Sequence, residues 1–364
     1  MKHPLTIAEQ LARQGVSRRA FLKFCAAAAS LMALPPGMAP AIAEALGKRT
    51  RPSVIWLSFQ ECTGCTESLT RSHSPTVEGL IFDMISLDYH HTLMAAAGEA
   101  AEQARIQAMA EPGYLVLVDG SIPVKDGGIY SAIAGISNLQ MLKETVENAA
   151  AVVSVGTCAA YGGIPMANPN PTGAMGVQQL MDEGLIARKP VINVPGCPPI
   201  PVVITGVLAH YLTFGSIPEL DALGRPLMFY GDSIHDRCYR RPFYDQGKFA
   251  KTFDDEGARK GWCLFELGCK GPTTHNACAT TKWNDGTSFP IESGHGCIGC
   301  SEPNFWDAGS FYKALSEPAD PLTLVSTAAI AGAAIGVGMS FMNRATKRSA
   351  KAAHETATLK DLEK

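Results

Sequence analysis

The sequence lacks several features that would point to familiar classes of protein. Charged residues make up only 18% of its 364 residues, the formal net charge is −3, and no basic patch is present. Nucleic-acid-binding domains concentrate positive charge on one face, so this class is not indicated. No internal repeat and no long low-complexity run occurs either, which argues against a repeat architecture. The remaining composition is that of an ordinary globular chain with room for two domains.

Charge is also absent from one stretch near the C-terminus, between Leu322 and Met342. As a helix with about 1.5 Å per residue, this stretch is about 30 Å long, the thickness of a hydrocarbon core. Asp320 precedes it, and four cations follow it: Arg344, Lys347, Arg348 and Lys351. Because positive charge marks the cytoplasmic side, we predict a transmembrane helix over 322–342 and a cytoplasmic tail over 343–364. The alternative is a buried core helix.

A twin-arginine signature lies at the other end of the chain. Arg18 and Arg19 precede an alanine-rich apolar stretch over 24–34, which is too short to span a bilayer. Small residues at 41–43 offer a cleavage site, so we predict a twin-arginine signal peptide over residues 1–45. The alternative is the start of a basic amphipathic helix. Both ends together predict a single-pass protein whose body is exported already folded, to the periplasmic side of the cell membrane.

Cysteine is the most informative residue type that is present. Ten of the 11 cysteines lie between Cys62 and Cys300, and only Cys25 lies in the signal segment. They fall into three sets, one of which includes a histidine. The first set is Cys62, Cys65, Cys158 and Cys197; the second set is His235, Cys238, Cys263 and Cys269; the third set is Cys278, Cys297 and Cys300. These numbers of ligands suit three iron–sulfur clusters and therefore predict electron transfer.

The first set follows short apolar runs that have the length of buried strands. Runs over 52–59, 151–155 and 191–194 lead to its cysteines, and a further run covers 114–119. Helix-like stretches over 76–85, 95–109 and 138–149 lie between the runs. This alternation predicts an α/β fold with a doubly wound parallel sheet over residues 50–225. Ligands bind outside the carboxyl ends of such strands, so the four cysteines are expected to converge there.

The alternation fades after about residue 225, where glycine, proline and charged residues become frequent. We predict a smaller irregular domain over 226–318 that is organised by metal. By composition, the second set also suits a structural zinc ion. The third set has no fourth thiol, which suits a [3Fe–4S] cluster, whereas a closed zinc site would need His275 or His295. Pro290 lies in the intervening loop and cannot act as a ligand.

Disulfide bonds are a further reading of the cysteines. Ten cysteines in an exported domain could form five bridges. A chain of this size does not need such staples, however, and export in the folded state indicates that a cofactor is loaded first. The disulfide reading is therefore the weaker one.

Seven motifs resemble the small subunit of membrane-bound [NiFe] uptake hydrogenases, and the resemblance covers nearly the whole chain. They are Glu61–Glu67, Asp119–Pro123, Gly156–Cys158, Pro195–Pro199, Gly261–Cys263, Gly268–Pro272 and Gly294–Cys300. The resemblance implies a flavodoxin-like first domain. It also implies that the first set holds a proximal [4Fe–4S] cluster, the third set a medial [3Fe–4S] cluster, and the second set a distal [4Fe–4S] cluster.

The resemblance also implies partners. Hydrogen would be split at a nickel–iron site on a large subunit, so this chain carries no catalytic residue of its own. Electrons would leave to a membrane-bound b-type cytochrome or another quinone-reducing subunit, and a dimer of heterodimers is compatible with the family. Two other classes remain open: a membrane-anchored electron-transfer protein without a hydrogenase partner, and an exported zinc and disulfide scaffold.

One departure within this family concerns oxygen. Oxygen-tolerant members have a cysteine in place of Gly64 and a further cysteine in the loop near 127–131. This chain has a glycine at position 64 and no cysteine from 66 to 157. We therefore expect a standard, oxygen-sensitive enzyme.

Overall fold

The computed structural model of the chain describes residues 6–13, 16–31, 34–48, 50–73, 75–309 and 311–314. These residues belong to one compact unit, Met1–Ala314. The predicted transmembrane helix over 322–342 and the tail over 343–364 lie outside the described residues. None of the helices within the described ranges is long and apolar enough to cross a bilayer. The predicted boundary at 225/226 stays a prediction.

A five-stranded parallel sheet forms the centre of this unit. The strands of the chain are β1 Ser53–Ser58, β2 Ser86–His90, β3 Leu115–Asp119, β4 Ile122–Pro123, β5 Ala132–Ile133, β6 Ile136–Ser137, β7 Ala151–Val155, β8 Ala174–Met175 and β9 Val191–Val194. The sheet has the order β2-β1-β3-β7-β9, and the short strands pair as β4 with β8 and β5 with β6. Numbered within the sheet, the order is 2-1-3-4-5, which is that of flavodoxin-like folds. The predicted parallel α/β fold is confirmed.

The described residues form fifteen α-helices, some of which cover the two faces of the sheet. They are α1 Ile7–Arg13, α2 Arg18–Leu31, α3 Ala39–Gly47, α4 Gly64–Thr70, α5 Val77–Gly79, α6 Glu99–Met109, α7 Asn138–Val146, α8 Thr157–Tyr161, α9 Gly163–Met166, α10 Val177–Asp182, α11 Pro201–Phe214, α12 Leu227–Tyr230, α13 Arg241–Asp245, α14 Glu256–Arg259 and α15 Cys278–Thr281. Single 3₁₀ turns occur at Pro36–Met38, Lys125–Gly128, Phe265–Leu267 and Gly271–Thr273, and a π turn at Leu80–Met84.

The central strands are apolar along their whole length because both faces of the sheet are buried. Along β1, Val54 and Trp56 belong to the hydrophobic cluster on one face. Ile55 and Leu57 belong to the cluster on the other face. Every residue of β3, β7 and β9 is buried. Packing on both faces holds the strands in place and thereby positions the loops at the strand ends.

The edge strand β2 was not predicted, and the helix expected over 76–85 is shorter. That stretch contains only α5 and the π turn Leu80–Met84, and the chain then enters β2. The sequence of β2 is Ser-Leu-Asp-Tyr-His, and its first three residues are only half-buried. An edge strand pairs on one side only, so it does not need the continuous apolar run that marks a central strand.

The predicted signal segment folds onto the body. Cys25 and Ala29 are fully buried, and Ile42 is 1% exposed, within the cluster that also contains residues of α11. Arg18 and Arg19 are exposed. The apolar side of this segment thus packs on the body, while its two arginines face solvent.

The chain beyond α12 is irregular, as expected. Between residues 231 and 314 the described part of the chain has helices of at most five residues and no strand beyond isolated bridges. Short elements leave few regular backbone hydrogen bonds to organise this region, and bound metal is a chemical means of organising such a chain.

Candidate functional site

The first set lies at the carboxyl end of the sheet. Cys62 and Cys65 follow β1, with Cys65 in the first turn of α4, and Cys158 follows β7 in the first turn of α8. Cys197 follows β9. Parallel strands that are neighbours in the sheet end at the same edge, so residues far apart in sequence meet there. The structure brings the four cysteines together in this way.

Glycine at position 156 makes this convergence possible. Its φ is +90°, a conformation that side chains rarely adopt. A Cβ atom built on Gly156 would overlap the Sγ of Cys65. A Cβ on Gly163 would lie 2.7 Å from the Sγ of Cys158, and one on Gly64 would lie 3.1 Å from the Sγ of Cys62. The backbone therefore closes directly around the sulfur atoms.

The thiols of the first set interact electrostatically. Burial is the main cause that raises the pKa of Cys158 to about 12, and the neighbouring thiols of Cys197 and Cys62 contribute to this rise. Burial also raises the pKa of Cys65 well above its usual value, with contributions from Asp119 and the other three thiols. Four thiolates cannot gather here without positive charge, which bound iron would supply.

A buried carboxyl group accompanies the first set. Asp119, at the end of β3, is fully buried, and the hydroxyl of Thr66 donates to its Oδ2 at 3.4 Å. Burial is the main cause that raises the pKa of Asp119 to about 7, and the nearby Glu61 contributes to this rise. The sequence motif contains Asp119 but indicates no role for it. The signal that marks it is an acidic residue at the end of an otherwise apolar strand.

The second set is held by the irregular region. A Cβ atom on Gly271 would lie 3.5 Å from the Sγ of Cys269 and 3.7 Å from the backbone nitrogen of His235. Burial is the main cause that raises the pKa of Cys263 to about 11, and the neighbouring thiols of Cys269 and Cys238 contribute to this rise. His235 and the three cysteines of this set are thus neighbours in the fold.

Aromatic rings surround the histidine of the second set. The ring of Tyr244 meets that of His235 edge-on, with 4.6 Å between the centroids, and also contacts Phe249 and Phe265. Burial lowers the pKa of His235, and Arg241 lowers it further. A neutral imidazole is the form that binds metal, so this environment suits a ligand.

The third set lines an apolar cavity of about 260 Å³. Burial raises the pKa of each of its three thiols to about 12. Pro290 and His295 also line this cavity, whereas His275 is not among its lining residues. Of the other lining residues, Pro290 cannot bind iron and Cys197 belongs to the first set, so the three thiols of the third set fit a cluster with three protein ligands.

The three sets form a row in which the third set lies in the middle. The hydroxyl of Thr157, next to Cys158, donates to the backbone oxygen of Cys300, and Cys197 lines the third cavity. At the other side, the backbone N–H of Cys297 donates to the Sγ of Cys269 at 3.3 Å. The spatial order is therefore first, third, second, although the chain order is first, second, third.

The positions of the cysteines also test the disulfide and zinc interpretations. All 11 cysteines are free thiols, so the fold does not use the five bridges of the disulfide reading. Within the described ranges, no three His, Cys, Asp or Glu side chains are grouped closely enough to hold a single metal ion. Ligands of an iron–sulfur cluster bind different iron atoms, so they are spaced more widely than the ligands of one zinc ion.

Comparisons with known proteins agree with this geometry. Residues 230–313 match the family described as the C-terminal part of the NiFe/NiFeSe hydrogenase small subunit, and residues 62–211 match the family described as NADH ubiquinone oxidoreductase, 20 Kd subunit. The chain is 49% identical over 313 residues to the uptake hydrogenase small subunit of Azotobacter vinelandii, which covers 85% of this chain and 86% of that protein. It is 45% identical to the hydrogenase-1 small chain of Escherichia coli K12, with 93% and 92% covered.

Solved structures give the same result. The [NiFeSe]-hydrogenase of Desulfomicrobium baculatum superposes with a TM-score of 0.68 at 37% identity, over 73% of this chain and 100% of that one. The [NiFeSe] hydrogenase of Desulfovibrio vulgaris Hildenborough gives a TM-score of 0.66 at 38% identity, over 73% and 99%.

Fold and site together define an iron–sulfur electron-transfer subunit of an oxidoreductase. Its sulfur ligands lie at the ends of a parallel sheet and in an irregular second region. More particularly, the chain belongs to the family of [NiFe] hydrogenase small subunits. This confirms the family that the motifs predicted. The assignment of individual residues to individual clusters stays a prediction.

Proposed function

We propose that the chain relays electrons from hydrogen oxidation at the nickel–iron site of a partner large subunit to a membrane acceptor. The single observation that carries this proposal is the row of three cysteine sets, in the order first, third, second. When bound there, iron–sulfur clusters would supply one-electron carriers along this row. The chain itself contributes thiolate ligands, burial and hydrogen bonds to sulfur, which hold and tune such clusters.

Three clusters are part of this proposal. Cys62, Cys65, Cys158 and Cys197 would hold a proximal [4Fe–4S] cluster; Cys278, Cys297 and Cys300 would hold a medial [3Fe–4S] cluster; His235, Cys238, Cys263 and Cys269 would hold a distal [4Fe–4S] cluster. The exposed side chain of Cys62 supports the first position. It places the first set at the surface, where the metal site of a bound large subunit would be near.

Purification through a tag on this chain tests the proposal. We expect a nickel-bearing large subunit to co-purify, and hydrogen gas to bleach the visible absorption of the clusters. Cys65→Ser should leave the large subunit bound but abolish this bleaching, because the first carrier is lost. A preparation that contains clusters but neither nickel nor a partner would instead favour an electron-transfer protein without hydrogenase function.

The proposed place of the protein is the periplasmic side of the cell membrane. Export by the twin-arginine route would deliver the folded body, and the apolar stretch over 322–342 would anchor it beside a b-type cytochrome or another quinone-reducing subunit. The support is sequence-based: the arginine pair, the absence of charge from 322 to 342 and the cations that follow.

Truncation tests the anchor. A chain that ends at Ala314 should be recovered in the soluble periplasmic fraction, because about 20 apolar residues are what holds a protein in a bilayer. Arg18→Lys with Arg19→Lys, in the full chain, should keep the protein in the cytoplasm. Recovery of the truncated chain with membranes would contradict the proposed anchor.

Oxygen sensitivity is a further part of the proposal. Gly64 stands where oxygen-tolerant members have a cysteine, and a Cβ there would lie 3.1 Å from the Sγ of Cys62. The first set therefore offers four thiols to its cluster, and we expect one redox transition of this cluster in an EPR-monitored titration. A second oxidation at high potential, the sign of a six-cysteine cluster, would contradict this expectation.

A further inference from the structure

Four cationic side chains are buried among the described residues, and they differ in their partners. They are Arg105, Arg225, Arg240 and Lys270, each at most 6% exposed. Arg105 pairs with Glu102 at 2.9 Å, and Arg225 pairs with Asp221 at 2.7 Å. Pairing with a carboxylate is the usual condition for burying such groups, because an isolated buried charge costs several kcal/mol.

Lys270 has no such partner within the described part of the chain. Its Nζ donates to the backbone oxygens of Ala308 at 3.1 Å and Gly309 at 3.3 Å. It also lies 5.5 Å from the centroid of the Phe311 ring. Carbonyl oxygens and a ring solvate an ammonium group, but they do not neutralise its charge.

Lys270 lies where the second and third sets meet. It follows Cys269 directly, and its backbone N–H donates to the backbone oxygen of Cys297 at 2.7 Å. A Cβ atom on Gly299, between Cys297 and Cys300, would lie 3.6 Å from its Cδ. The Lys270 side chain thus packs against the loop that carries Cys297 and Cys300, whose thiolates would supply negative charge.

Arg240 repeats this arrangement at the second set. Its Nε donates to the Tyr239 hydroxyl at 2.8 Å and its guanidinium donates to the backbone oxygen of Trp262 at 2.9 Å. Its backbone N–H donates to the Sγ of Cys238 at 3.4 Å. Arg240 is therefore a buried cation two residues from a ligand of the second set, and within the described residues it is paired with a hydroxyl and a carbonyl oxygen and not with a carboxylate.

The first set has the opposite environment. Its buried neighbour is the carboxyl group of Asp119, and Glu61 lies next to Cys62 in the chain. The Asp119 carboxyl group accepts a hydrogen bond from Thr66, the residue after Cys65, at 3.4 Å. Negative or potentially negative groups thus border the first set, and uncompensated cations border the other two.

We propose that Lys270 and Arg240 are potential-setting residues, whose fixed positive charges raise the reduction potentials of the carriers held by the third and second sets. Each reduction step adds one electron to a cluster and no proton, so a nearby cation stabilises the reduced state. The first set, beside Asp119, lacks this stabilisation. The reduced state is therefore stabilised less at the first set than at the third and second sets. This difference favours electron flow away from the hydrogen-splitting partner. This inference rests on the proposed function.

The test is an EPR-monitored redox titration of the whole complex with its large subunit. Lys270→Gln removes the charge but keeps a donor for the two carbonyl oxygens, whereas Lys270→Arg keeps the charge. At a fixed potential, we expect Lys270→Gln to shift the ratio of oxidised to reduced [3Fe–4S] cluster about tenfold towards the oxidised form. For a one-electron step, this shift corresponds to a reduction potential that is about 59 mV lower. Lys270→Arg should titrate like the unmodified protein.

Lys282→Gln is the matched control. Lys282 is close in the chain to residues that line the third cavity, but its Nζ pairs with Glu292 at 2.8 Å and its side chain is 33% exposed. Its loss should leave the titration unchanged. Arg240→Gln, with Arg240→Lys as its own control, should lower the potential of the distal cluster in the same way.

The outcomes separate this inference from the proposed function. An unmodified complex without a [3Fe–4S] signal would overturn the cluster assignment and the inference together. An unshifted midpoint in Lys270→Gln at full iron content, or an equal shift in Lys270→Arg, would overturn the inference alone. Loss of iron in Lys270→Gln but not in Lys270→Arg would overturn it as well, because the cation would then be needed to retain the cluster and not to set its potential.

Discussion

Replacement of Pro290 by cysteine is expected to convert the medial three-iron cluster into a four-iron cluster. Pro290 lines the same cavity as Cys278, Cys297 and Cys300, so a thiol at this position would be available as a fourth ligand to a cluster held there. The added thiolate brings in another iron and more negative charge, which lowers the reduction potential. The oxidised-state EPR signal of the three-iron cluster should disappear, and the iron content should rise by about one atom per chain.

Pro290→Ala is the control for this change. It removes the proline ring without adding a ligand, and the backbone oxygen at 290 that accepts the N–H of His295 at 2.9 Å is kept. The three-iron signal should persist in this variant. If Pro290→Cys keeps an unchanged three-iron signal while folding and binding iron normally, the third set does not have the vacant fourth position that the cavity indicates.

Replacement of Gly156 by alanine is expected to abolish the proximal cluster. The added methyl group would overlap the Sγ of Cys65, and the φ of +90° would strain any side chain at this position. The thiol would have to move out of the site, so we expect the loss of about four iron atoms per chain. Hydrogen would then no longer reduce the remaining clusters, because the first carrier in the row is missing.

Gly127→Ala separates strain from overlap. Gly127 also has a positive φ, +74°, but a Cβ atom there would meet nothing within 4 Å. This variant should lose only the energy of the backbone strain, about 1–2 kcal/mol, and keep all its iron. A Gly156→Ala protein with full iron content and normal reduction by hydrogen would show that the first set does not close around a cluster as described.

Burial explains which parts of the fold the sequence predicted well. The central strands β7 and β9 were predicted at their observed bounds, because strands covered on both faces are continuous apolar runs. Strand β2 was missed, because an edge strand with Asp88 and Ser86 on half-buried positions has no such run. The four cysteines at the strand ends could be placed together once the strands were recognised.

The arrangement of the site was only partly predictable. Membership of the sets followed from spacing and family resemblance, but their spatial order depends on contacts such as that of Thr157 with Cys300. Those contacts join residues far apart in the chain and have no local pattern. The roles proposed for Lys270 and Arg240 were not predicted either, because they depend on contacts of the same kind. From sequence alone, a cationic side chain is expected at the surface.

Quantitative iron analysis combined with EPR on the purified complex tests the central claim most directly. The account predicts about 12 iron atoms per heterodimer, about 11 in the three clusters of the small subunit and one at the nickel–iron site, together with one three-iron signal in the oxidised state and two further clusters that become paramagnetic when hydrogen reduces them. A colourless protein without iron would contradict it. So would a cluster content that does not correspond to two four-iron clusters and one three-iron cluster.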